Sequence, residues 1–146
     1  MKKLLLILVL FSSLTMLAQK NKKDHIKSLK VAYITEKLNL SSKEAQEFWP
    51  IYNTYEDNRS KIKHEEIRSI RNEIKSNFEA MTDEDAQVLI DKLNDSEIKL
   101  HELEMDFSKE LSKILPPKKI ILLKVSEEDF KRKMFEEFKK RRKEKS

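Results

Sequence analysis

The chain contains no glycine. Glycine is the residue that most readily takes a left-handed backbone, so type I′ hairpin turns and the usual helix-stopping residue are both missing from its vocabulary. Long helices joined by short corners are what remains. The 39% of residues that are charged supply the solvated faces such helices need. The expected fold class is all-α. Cysteine is absent too, which removes disulfides, thiol chemistry and Cys-based metal sites.

The first 19 residues read differently from the rest. Lys2 and Lys3 precede an almost unbroken apolar run, Leu4–Leu17, and Ala18 stands before a plausible cleavage point. That is the pattern of a secretory signal peptide, with an uncleaved membrane anchor as the alternative. No Cys follows the run, so lipid attachment at a cysteine is excluded. Residues 20–146 are then expected to form one helical domain in the periplasm, with 139–146 a basic, frayed tail.

The densest stretch of this domain is Leu38–Tyr55, LNLSSKEAQEFWPIYNTY. Ser41 followed three residues later by Glu44 is a capping-box pattern. Apolar residues then recur at Ala45, Phe48, Trp49, Tyr52 and Tyr55 on one side of a 3.6-residue helix. Trp49 is expected to be largely buried here. Pro50 deletes one amide and crowds the carbonyl four residues back, which predicts either a kink or a short helix before a long one.

Around it, Asp24 can cap a first helix carrying Ile26, Leu29, Ala32, Tyr33 and Leu38. The second helix runs on towards Phe78 through Ile62, Ile67, Ile70 and Ile74. After a corner at Glu79–Met81, Thr82 and Asp85 restart the chain. A stripe from Ala86 to Ile114, broken at Ser96, predicts an antiparallel partner for the second helix. Pro116 and Pro117 stop it, with Pro117 suited to a first helical position. The last helix carries Ile120, Leu123, Phe130, Met134 and Phe138. The architecture expected is a long helical hairpin flanked by N- and C-terminal helices. Helices this long cannot hide every stripe within one copy, which predicts a two-fold homodimer.

Leu40-Ser41-Ser42-Lys43-Glu44 resembles the L-T-x-x-Q signature that begins helices in the small periplasmic Spy/CpxP and ZraP-like proteins. Leu115-Pro116-Pro117-Lys118-Lys119 falls where that family repeats it. The run Ala32–Tyr55, with LPPKK and EEDFKRK further on, is similar to secreted proteins labelled sensors of ECF-type sigma factors. This chain has Ser41 for the Thr and Glu44 for the Gln, and its second copy lacks both. The resemblance implies a cradle-shaped helical dimer. Its partners would be non-native or membrane-associated envelope proteins, held as a chaperone holds clients. The alternative it implies is a sensor acting on a sigma-factor pathway through a membrane partner.

Candidate chemistry is sparse. Phe130, Met134, Phe135 and Phe138 on a helix rich in Lys and Arg could grip partners. Arg141 and Arg142 in the basic tail would favour acidic partners or touch anionic lipid headgroups. The simpler reading packs three of these four residues on the hairpin or across a dimer seam. His101 and Met105 stand four apart, the spacing a helical metal site uses. The other helices offer only His25 and His64, so a boundary His with a gap-filling Met is the favoured reading, and no cofactor is expected. His64-Glu65-Glu66 comes without a nucleophile, a phosphate loop or HExxH, so no enzyme activity is expected. Nucleic acid is disfavoured as a partner of an exported chain.

Overall fold

A computed structural model describes residues 24–144; residues 1–23, which include the expected leader at 1–19, and residues 145–146 of the expected tail lie outside them. The protein is all-α, and the described residues contain no strand. Residues 24–37 form α1. They are followed by α2 (Ser42–Lys61), a π-helical turn (Ile62–Glu66), α3 (Ile67–Asn77), a 3-10 turn (Phe78–Ala80), α4 (Asp83–Leu111) and α5 (Pro117–Lys143). Two compact units emerge: 24–40 with 121–144, and 41–120.

In the first unit, Lys30 pairs with Glu127 at 4.0 Å and the Tyr33 ring lies 5.6 Å from that of Phe130. Both pairs rise in number together, the order of two helices running in the same direction. The buried stripe of α1 holds Ile34 and Leu38, with Ile26 and Tyr33 half-buried. Leu29 and Ala32, expected on this face, are exposed instead. Steps of four from Ile26 pass through Lys30 to Ile34 and Leu38, which leaves both on the flank. Asp24 is itself helical and is therefore not the cap.

With no glycine to stop it, α1 ends on Asn39, whose φ of 46° is the left-handed conformation. The Leu40 amide donates to the Thr35 carbonyl at 3.1 Å and the Asn39 amide to the Glu36 carbonyl at 3.0 Å. This is the Schellman pattern with Asn in place of Gly.

In the second unit, α2 opens on the expected capping box. The Glu44 amide donates to Ser41 Oγ at 3.2 Å, and the Ser41 amide donates to the Glu44 carboxylate at 2.8 Å. Pro50 neither breaks nor ends the helix. Gln46 and Pro50 both face solvent, so water can satisfy the carbonyl the ring leaves without a donor. The interruption comes later. At Ile62–Glu66 the Ile67 amide reaches back five residues to the Ile62 carbonyl, the hydrogen bond of a π turn. Five α-helical residues would carry Ile67 about 140° away from Ile62, on the 3.6-residue turn. The extra residue restores Ile67, Ile70 and Ile74 to the stripe of Tyr52 and Tyr55.

Across from them lies α4. Tyr55 stacks on Phe107 with ring centroids 4.0 Å apart and planes 5° from parallel, and Tyr52 meets the same ring edge-on. Further along, Lys99 Nζ donates to Glu66 at 2.9 Å. Numbers rise on one side as they fall on the other, the order of antiparallel helices. Ser96 fills the break in the α4 stripe. It is buried, its hydroxyl bonding the Lys92 carbonyl at 3.0 Å and lying 3.4 Å from Glu66. A small residue there faces the wider π turn. Thr82 and Asp85 form the second capping box, and α5 starts on Pro117.

Trp49 is mostly covered but keeps some exposure, and Phe48 is the fully enclosed residue. Phe48, Tyr52 and Tyr55 step by four and three along the stripe. Trp49 sits one residue, about 100°, round from its centre, touching Phe48 and Tyr52 edge-on.

Candidate partner-binding site

The second half of α5 sorts its aromatic residues by helical phase. Leu123, Ser126 and Phe130 step by three and four and are buried, and Met134 continues the line half-buried. Phe130 packs on Tyr33, itself flanked by the ammonium groups of Lys37 and Lys133, each 5.6 Å from the ring. Phe130 is thus a core residue, a correction to its candidacy as a gripping residue. Phe135 and Phe138 turn away from that line and remain 66% and 53% exposed.

The surface around this pair is cationic. Lys131 and Arg132 pair back along the helix with Glu128 and Asp129. Lys139, Lys140, Arg141 and Arg142 are all exposed. Basic groups at a helix C-terminus complement the partial negative charge there. Two bare phenyl rings among long cationic side chains make a surface that binds apolar segments and attracts acidic ones.

His101 and Met105 are both exposed on α4, with Glu97 one turn before His101 and Glu104 beside Met105 in sequence. Among the described residues, no cluster of three His, Asp or Glu could hold a metal ion. His64, also exposed, lines a groove with Arg68, Arg71 and Lys75 beside the π turn. Glu66, two residues on from His64, is spent on Lys99, whose ammonium it stabilises so that the Lys99 pKa is raised.

The starts of α2 and α5 meet at Glu44 and Lys119. Lys119 Nζ donates to both Glu44 oxygens at 2.8 Å. A cation in the first turn of α5 opposes the helix dipole, and Glu44 offsets it. The Lys119 ammonium, with the Ser41 amide behind it, lowers the Glu44 pKa from 4.5 to about 2. A carboxylate depressed on folding adds stability that is complete above its unfolded value and lost as pH falls to its folded one. Acid unfolding should therefore show a Glu44 contribution lost between about pH 4.5 and pH 2. Glu44→Gln should remove that part of the pH dependence in chemical denaturation, and an unchanged profile would show that the pair does not act on folding.

Other exposed apolar groups escape the main stripes. Ile90, Ile98 and Met105 line the outer side of α4, and Phe78 stands 67% exposed at the turn between α3 and α4. The only sequence signal for them is an apolar residue out of phase with its helix. Comparison with protein-family models, with curated proteins and with solved structures returns no match.

Proposed function

We propose that this protein is an exported, periplasmic binding protein of Spy/CpxP type that shields exposed apolar segments of other envelope proteins. The observation that carries this reading is the Phe135–Phe138 pair, bare at the basic end of α5. Burying a phenyl side chain fully is worth about 1.5–3 kcal/mol, so leaving two in water needs a reason. Apolar contact supplies the affinity, and the surrounding Lys and Arg speed encounter and favour acidic neighbours. The leader-like start of the sequence and the resemblance of its helix starts support the compartment and the class. The protein acts without a cofactor and catalyses no reaction.

The experiment is suppression of aggregation of an unfolded client by purified protein. Phe135→Ala with Phe138→Ala is expected to abolish suppression while helicity and melting temperature stay at wild-type values, since neither ring is in the core. Unaltered suppression by the well-folded double variant would remove the aromatic pair from the function.

A further inference from the structure

The turn between α3 and α4 carries the opposite chemistry to the end of α5. A notch of about 480 Å³ opens there, lined by Met81, Val88 and Leu89 together with Asn77, Glu73 and Asp85, and with Lys92 its single cation. Phe78 stands beside it, 67% exposed, and Val88 is 52% exposed. Between Lys75 and Lys92 every charged residue is an acid: Glu79, Asp83, Glu84, Asp85 and Asp91. Glu79, Asp83 and Glu84 are exposed and make no ion pair among the described residues. From Lys131 to Lys143, by contrast, the only acids are Glu136 and Glu137. One chain therefore leaves uncovered both an apolar notch rimmed by acids and a pair of phenyl rings rimmed by bases.

We propose that the notch receives the end of α5 from a second copy of this chain. Phe135 and Phe138 of one copy lie against Phe78, Met81 and Val88 of the other, and Lys139–Arg142 face Glu79, Asp83 and Glu84. With one notch and one end per copy, two copies are the smallest set that can leave neither uncovered. Matched charge sets the partner and the apolar contact holds it. An acidic rim repels a second notch and a basic end repels a second end, so the unlike pairing is selected over both like pairings. The same rings then have two competing occupants, the second copy and a client. That competition rests on the binding role proposed above, whereas the contact between copies does not.

Sedimentation of the purified protein at tens of micromolar and low salt tests the contact. Wild type is expected at the mass of two copies. Glu79→Lys with Glu84→Lys should weaken association at least tenfold, as should Lys140→Glu with Arg141→Glu. All four changes together should restore it, because the charges are again opposite. All four positions are exposed, and circular dichroism checks that each variant stays helical; Phe78→Ser supplies an uncharged variant expected to weaken association too. A wild-type monomer, a dimer that none of these changes weakens, or a fourfold variant no better than its parents would each overturn the proposal. Client suppression separates the two ideas: freed ends should hold more client in the Glu79→Lys, Glu84→Lys variant. If association responds as expected and no variant suppresses aggregation, the binding role fails and the contact between copies stands.

Discussion

Phe48→Ala is expected to lower the free energy of unfolding by about 3–5 kcal/mol, the range for deleting an enclosed aromatic ring. Phe48 is 0% exposed. Its ring stacks on Tyr52 at 5.3 Å and takes the edge of Trp49 at 4.8 Å. Tyr52 leads on to Phe107, and Phe107 to Tyr55, so removing Phe48 empties one end of a continuous aromatic row. Against a typical stability of about 5–15 kcal/mol, that is a large share. Trp49→Ala should cost less, because the indole is the more exposed of the two rings. Denaturant titration of both variants checks the order, and equal losses would show that the indole, despite its exposure, anchors the row.

The other large effect separates two deletions only a few residues apart. Removing exposed His64 turns the five-residue step from Ile62 to Ile67 into a step of four. An ordinary α-helical turn can then replace the π turn, and Ile67, Ile70 and Ile74 keep their places. Little stability should be lost. Removing exposed Ser69 instead leaves the π turn intact and rotates everything after it by about 100°. Ile70, which is buried, and Ile74 then leave the α4 face. Each fully buried Ile is worth about 1.5–3 kcal/mol, so this variant should lose several kcal/mol or fail to fold. Melting curves of the two deletions side by side decide the matter. Equal melting temperatures would mean the π turn does not set the phase.

Both capping boxes were legible in the sequence because a cap is a local device: Ser41 with Glu44 and Thr82 with Asp85 stand three apart and need nothing distant. Pro117 was legible for the same reason. Ile34 was passed over because Leu29 and Ala32 fit an equally good stripe, and only the packing of α1 selects between phases. The π turn did leave a trace, the five-residue step from Ile62 to Ile67 among steps of three, four and seven. Pro50 left a kink and a break both open in the sequence; the helix runs on through it, since a lone proline costs least where the orphaned carbonyl meets water. At the candidate site, the basic end and its aromatics were visible. That Phe130 belongs to the core and Phe135 and Phe138 to the surface depends on where Tyr33 lies. No spacing rule in the sequence links residue 33 to residue 130.

Glu44 and Lys119 stand 75 residues apart in the chain, whereas most of the other polar contacts described above span three or four. This separates events in time during folding. Helical turns form within about a microsecond, and a fold dominated by such near-neighbour contacts has a low contact order and reaches its native state quickly. The Glu44 carboxylate finds its Ser41 partner in that early phase. Its Lys119 partner arrives only when the whole intervening loop has closed, an entropy loss that grows slowly with loop length. An interaction absent from the transition state leaves the folding rate alone and acts on the rate of escape. The junction of the two helix starts is therefore expected to act as a latch: Lys119→Met should speed unfolding and leave the folding rate unchanged, which stopped-flow kinetics measures.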